Sequence, residues 1–176
     1  MRGIPSLVDI VSLHEQCSLD CLSCPLKKSS ASCSIPSKVK HHSWIALFIG
    51  GDVFLRAEKN VIIEKYKKKK ILTVVLSPVR IPDVKELSFI DVFLIPFFHF
   101  LPNEHNEICG RDDWQTVMQA VSVLEKRAIL FCPIGMHNVG DIPEYAAFSE
   151  KHNVKMFVWL MNVDQYGNKI TNEMRR

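Results

Sequence analysis

No stretch of this 176-residue chain approaches the roughly 20 consecutive apolar residues that a membrane-spanning helix needs. The nearest candidate, FIDVFLIPFFHFL, is too short and is broken by Asp91 and Pro96, so it reads as a buried strand and no membrane partner is expected. The amino-terminal MRGIPSLVDIVSL has no small-residue cleavage site and carries Pro5 and Asp9 within its apolar part. That pattern argues against a secretory signal and for a cytoplasmic protein with reduced thiols. Excess charge is also scarce: 22 Lys and Arg against 19 Asp and Glu leave +3. Without a broad basic field, nucleic acid is not expected as a partner. Much of the excess lies in Lys65 and Lys67 to Lys70, which reads as the solvated end of a helix. No Gly/Ser linker, internal repeat or compositional break divides the chain, so residues 1–176 read as one domain. The 47% hydrophobic content suffices for a continuous core.

Six apolar runs recur: LVDIVSL (7–13), WIALFIG (44–50), ILTVVLS (71–77), IDVFLIPFF (90–98), AILFCPI (128–134) and KMFVWLM (155–161). Each is near-continuously apolar rather than alternating, as in parallel strands buried on both faces. Helical patterns lie between several of them. Trp114, Val117, Met118, Val121 and Leu124 recur at helical spacing, behind an Asp112/Gln115 capping-box pattern. Asp141 and Glu144 form a second such pattern, with Pro143 in the first turn. A third helix spans Ala57 to Lys70, with Val61, Ile62 and Tyr66 as its buried side. Alternating strands and helices with right-handed crossovers give a parallel α/β sheet with outer helices. Six strands are too few to close a TIM barrel, so the expected fold is an open, curved partial (β/α)6 barrel.

In such folds the loops after the strands converge on one rim, where ligands bind. Cys17, Cys21 and Cys24 follow the first strand, and Gly50, Gly51 and Asp52 the second. Ser77 and Pro78 follow the third, His99 the fourth, Gly135, His137 and Asn138 the fifth, and Met161 with Asn162 the sixth. Three thiolates from one short loop suit two kinds of metal. They can hold three irons of a 4Fe-4S cluster and leave the fourth open, or bind zinc with Cys33 as a fourth ligand. The glycine pair lets backbone approach a ligand, and an adjacent acid can fix an ammonium group; an ordinary strand-to-helix turn has the same pattern.

The spacing C-x-x-x-C-x-x-C at Cys17, Cys21 and Cys24, with FIGGD closing the second strand, resembles the radical SAM superfamily. ICGRDDWQTVMQAVSVLEKRAILF is similar to that family's Arg-Gly turn, helix and fifth strand, and the likeness runs from about Val8 to Met161. The resemblance implies that Cys17, Cys21 and Cys24 hold a 4Fe-4S cluster whose open iron binds S-adenosylmethionine. Gly50, Gly51 and Asp52 would receive the methionine amino group, Ser77 and Asn138 the carboxylate and ribose, and Met161 would lie near the adenine. The implied reaction is reductive cleavage to a 5'-deoxyadenosyl radical that abstracts a hydrogen atom, with electrons from an external ferredoxin or flavodoxin.

Several positions depart from the family pattern. Ser23 stands where an aromatic residue is common, and Asp52 and Val53 replace the usual Glu and Pro. No second cysteine cluster follows, and Cys33, Cys109 and Cys132 are scattered, so no auxiliary cluster is expected. The short first crossover and the end soon after the sixth strand make this a trimmed version of the fold. An uncovered barrel suits a protein or peptide substrate, including an enzyme activated as a glycyl radical. The alternative is a non-catalytic zinc or iron–sulfur interaction protein on the same scaffold. Of the histidines, His99 and His137 are the ones that the rim would bring near a substrate.

Overall fold

The computed structural model describes residues 7–13, 17–21, 43–78, 80, 88–135 and 138–160. All six expected strands are present: β1 (Val8–Ser12), β2 (Ile45–Ile49), β3 (Leu72–Leu76), β4 (Val92–Pro96), β5 (Ala128–Ile134) and β6 (Lys155–Leu160). They form one parallel sheet in the order β1-β2-β3-β4-β5-β6. Because β1 and β6 are its two edges, the sheet is open, as expected. Among the described residues four helices cross between strands: α1 (Lys59–Lys67) after β2, α2 (Pro102–Cys109) and α3 (Trp114–Leu124) after β4, and α4 (Ile142–His152) after β5.

The register aligns Val11, Phe48, Val75, Phe93 and Ala128 side by side across five strands, all of them buried. Helices cover this row: Tyr66 of α1 meets Phe48 edge-on at 5.3 Å, and Val117, Ala120 and Leu124 of α3 join the same core. The opposite face of β2, β4 and β5 is half-buried. Burial of every strand on both faces is thus corrected. Only β3 approaches it, while β6 exposes Phe157 to Leu160 because an edge strand lacks one neighbour.

Local capping also differs from expectation. Asp112 does not cap α3; Asn106 of α2 does, its Oδ1 accepting from the N–H groups of Asp113 and Trp114 at 3.0 and 2.9 Å. Asp141 precedes α4 without a side-chain cap. In α1 the buried side is Ile62, Ile63 and Tyr66, with Val61 exposed, since Ile62 and Tyr66 share the i, i+4 stripe and Ile63 lies three residues from Tyr66. The lysine run is not uniformly solvated. Lys67 donates to Asp91 Oδ2 at 2.7 Å, and buried Lys70 donates to the Ser43 carbonyl at 3.0 Å.

Candidate functional site

Gly50 and Gly51 turn the chain out of β2 with φ of 115° and 61°, conformations that side chains with a Cβ rarely adopt. This turn brings Asp52 to the head of a short 3-10 turn, Val53–Leu55, where its Oδ1 accepts from the Phe54 N–H at 3.0 Å. From the end of β3, Ser77 Oγ lies 3.4 Å from the same oxygen and accepts the Val53 N–H at 2.9 Å. The structure therefore joins Asp52 to Ser77 directly. Oδ2 of Asp52 is buried and has no hydrogen-bond partner among the described residues. A buried carboxylate oxygen without a donor is costly, and a cation or N–H donor brought by a ligand would relieve it.

The cysteine loop leaves β1 through Leu13, whose N–H donates to the Ile49 carbonyl at 2.7 Å. Cys17 is exposed and Cys21 half-buried. Cys24 and Cys33 lie outside the described residues, as do Ser23, His137, Met161 and Asn162. The loop is anchored by the link between α2 and α3. The Asp20 N–H donates to the Cys109 carbonyl at 3.0 Å, and Arg111 Nη1 donates to the Ser18 carbonyl at 2.9 Å. Gly110 sits between these bonds with φ 70°, and a Cβ there would stand 2.6 Å from the Asp20 carbonyl oxygen. The loop and this turn thus touch backbone to backbone.

Behind the loop is a group that sequence reading did not assemble. His105 and Cys109 lie one turn apart on α2 and Asp113 precedes α3; all three are buried, with donor atoms within 4.8 Å of one another. His105 Nε2 is 3.3 Å from Cys109 Sγ, and Nδ1 accepts the Phe98 N–H at 3.2 Å. Burial, with His99 nearby, pushes His105 down to about 4, so its imidazole is neutral at pH 7. A hydrogen bond with Cys21, reinforced by burial, holds Cys109 well above the usual thiol range, so it keeps its proton. Burial also raises Asp113, against the pull of Arg111 and Arg80, with Asp52 adding to the rise. Asp113 therefore lies within electrostatic range of Asp52, and Cys109 meets the cysteine loop through its carbonyl. The signal for α2 was Pro102 at its start and Gly110 in a left-handed conformation at its end.

Asn138 is buried and its amide closes the loop after β5. Oδ1 accepts the Gly135 N–H at 2.8 Å, while Nδ2 donates to the Pro133 carbonyl at 3.2 Å and to Tyr145 Oη at 3.3 Å. Tyr145 donates in turn to the Phe98 carbonyl at 2.6 Å, tying the ends of β4 and β5 together. Both amide hydrogens are used, leaving one lone pair on Oδ1 for a ligand. His99 accepts the Leu101 N–H through Nδ1 and places Nε2 3.5 Å from Asp141 Oδ2. A cavity of about 770 Å³ lies near Ala128 and Lys155, at the amino ends of β5 and β6. That is the opposite rim from the cysteine loop, so it takes no part in this site.

Among solved structures, the fold is similar to that of Streptococcus suis SuiB, in a crystal structure bound to S-adenosylmethionine. The TM-score is 0.66 at 12% identity, over 96% of this chain. What the two share is the fold. This chain spans 44% of the SuiB chain. No protein-family model matches the sequence, and no curated protein is significantly similar to it.

Proposed function

We propose that the protein is a radical S-adenosylmethionine enzyme with one 4Fe-4S cluster. The observation that carries this reading is the unpartnered Oδ2 of Asp52, buried beside two positive-φ glycines on the strand-end rim that also bears the cysteine loop. The residues present fit the cofactor pair. Cys17, Cys21 and Cys24 offer three soft donors, two of them at least partly accessible, and Asp52 offers an acceptor suited to an ammonium group. Likeness of fold to SuiB, whose crystal structure contains S-adenosylmethionine, supports the same ligand here.

On this reading Cys17, Cys21 and Cys24 hold the cluster. The backbone of Gly50 and Gly51 and the carboxylate of Asp52 receive the amino group of S-adenosylmethionine, and Ser77 keeps Asp52 in place. Asn138, through the remaining lone pair of Oδ1, and Met161 complete the contacts to the rest of the cofactor. When bound, the pair supplies an electron and a 5'-deoxyadenosyl radical for hydrogen abstraction. Asp52 is one methylene shorter than the family's usual Glu, so the carbonyls of the turn share the amino group with it. Electrons come from an external ferredoxin or flavodoxin, and the open sheet admits a protein or peptide substrate.

The test is anaerobic reconstitution with iron and sulfide, followed by dithionite and S-adenosylmethionine, with 5'-deoxyadenosine as readout and Cys21→Ala as control. Product from the wild type and none from the variant supports the reading; a full cluster without cleavage refutes it. A second reading, a non-catalytic metal-binding interaction protein, draws on the buried His105, Cys109 and Asp113 donors. It predicts a colourless, oxygen-indifferent protein with stoichiometric zinc.

A further inference from the structure

We propose that the free edge of β6 is a docking strand: an extended, apolar segment of a protein or peptide substrate adds to it as a seventh strand and is so led to the candidate site. This inference rests on the radical S-adenosylmethionine reading above.

A strand inside a sheet has neighbours on both sides, whereas β6 pairs with β5 alone. Half of its backbone N–H and C=O groups therefore point away from the sheet. Among the described residues, none but those of β5 hydrogen-bonds to this strand. Edges of this kind are normally protected by charge, proline, a bulge or brevity. The six-residue β6 has no such device between Met156 and Leu160, and its register with β5 is unbroken. The other edge differs, since β1 carries the charge of Asp9.

The side chains beside the free edge are apolar and exposed: Phe157 at 45%, Val158 at 42%, Trp159 at 54% and Leu160 at 71%. Successive side chains take opposite faces. Phe157 and Trp159 share the face of Phe131, whose ring stacks on Phe157 at 5.9 Å and lies 6.4 Å from Trp159. Val158 and Leu160, in register with Cys132 and Ile134, are on the other face. An added strand thus meets apolar neighbours above and below, so its own run must be apolar at successive positions rather than at alternate ones.

The edge itself selects the kind of occupant. A lipid would cover the side chains and leave the outward N–H and C=O groups unpaired against it, whereas an extended peptide satisfies both. Residues 161–176, MNVDQYGNKITNEMRR, hold no two adjacent hydrophobic residues, so they do not supply the run. A second copy related by a two-fold axis would run antiparallel, setting the apolar carboxyl end of one β6 against Lys155 at the start of the other. Exposure is greatest at Leu160, and in a parallel sheet that end lies on the rim where β2 and β3 lead into Asp52 and Ser77. A segment paired with β6 therefore leaves it at that rim.

The test uses full-length protein without cluster and a set of lysine-flanked, fluorescein-labelled peptides, each with a run of valine, leucine, isoleucine and phenylalanine as long as β6. Fluorescence anisotropy reads binding, with serine–asparagine peptides of the same length as the control that should not bind. Trp159→Asp and Val158→Lys, both at exposed positions, should weaken binding by roughly tenfold or more while the fold is kept. A strand on one edge uses the N–H groups of alternate residues. Methylating one alternate set of peptide nitrogens should therefore abolish binding, and methylating the other should spare it.

Absence of binding throughout the set, binding unchanged in both variants, or equal effects of the two methylation patterns overturns the inference. So does a wild-type dimer that Trp159→Asp dissociates, read by light scattering, because a second copy then occupies the edge. Slow hydrogen exchange at all of Phe157 to Leu160 in the free monomer overturns it as well, because the chain then covers its own edge. If the peptides bind with the expected methylation pattern but reconstituted protein does not cleave S-adenosylmethionine, the radical reading and the substrate role fall while strand addition stands.

Discussion

The hydroxyl of Ser77 bridges two elements: it lies 3.4 Å from Asp52 Oδ1 and accepts the Val53 N–H at 2.9 Å, so the end of β3 holds the turn that follows β2. Two substitutions separate its parts. Asp52→Asn keeps the shape and removes the charge, so stability should be unchanged or higher while affinity for S-adenosylmethionine falls by roughly tenfold or more. Ser77→Ala strands the buried Val53 N–H and should cost about 1–3 kcal/mol of stability as well as affinity. Calorimetric titration of reconstituted protein and urea unfolding check both; unchanged binding in Asp52→Asn would remove Asp52 from the ligand site.

Gly110→Ala should disturb the cysteine loop from a distance. The added Cβ meets the Asp20 carbonyl at 2.6 Å in a left-handed backbone that disfavours alanine. We expect a loss of roughly 2 kcal/mol or more, together with lower iron incorporation per chain. Arg111→Ala, which removes only the bond to the Ser18 carbonyl, should give a milder form of both effects. Equal iron content in all three proteins would mean that the turn does not shape the loop.

Acid should weaken the fold through His105. Its pKa falls from 6.5 to about 4 in the folded protein, so the unfolded chain binds the proton more readily. The stability contributed by the neutral form is complete above about pH 6.5 and is lost as pH falls towards 4. At pH 4.5 the loss amounts to roughly 2–3 kcal/mol. Urea unfolding at pH 7.5 and 4.5 should show this drop in wild type and a smaller one in His105→Gln. The same slope in both proteins would assign the acid sensitivity elsewhere.

Asn138→Ala removes the acceptor for Gly135 and the donors to Pro133 and Tyr145. Stability should fall by about 2–4 kcal/mol, because these groups are buried and lose their partners together. Tyr145→Phe should cost less, since it breaks only the bond to Phe98 and that with Asn138. Thermal unfolding of the two variants tests the ranking.

The six strands were legible because each is a compact apolar run bounded by polar residues, and parallel neighbours need no further signal in the sequence. Edge exposure was not legible: KMFVWLM reads as buried, yet β6 has a strand on one side only. Helix α2 escaped detection because two of its three buried residues are His105 and Cys109, which a hydropathy pattern does not count as a stripe. Cys109 looked isolated for a related reason. The cysteine loop that it meets, through the bond from the Asp20 N–H to its carbonyl, is far away in sequence. The apparent cap at Asp112 failed because Asn106, one helix earlier, reaches the same N–H groups.

Since spatial order in the sheet follows chain order, each strand can add to its predecessor as it emerges from synthesis. The cysteine loop breaks that rule. Its fastening to Arg111 spans 93 residues, so the first motif to be made must wait for the middle of the chain before it is held. On the proposed function, iron delivered to a nascent chain would meet a loop that lacks its bonds to Cys109 and Arg111, whereas iron delivered after residue 111 has folded would meet one that has them. On the proposed function, maturation of the metal site would be timed by the folding of a segment that supplies none of its three sequence-motif thiols.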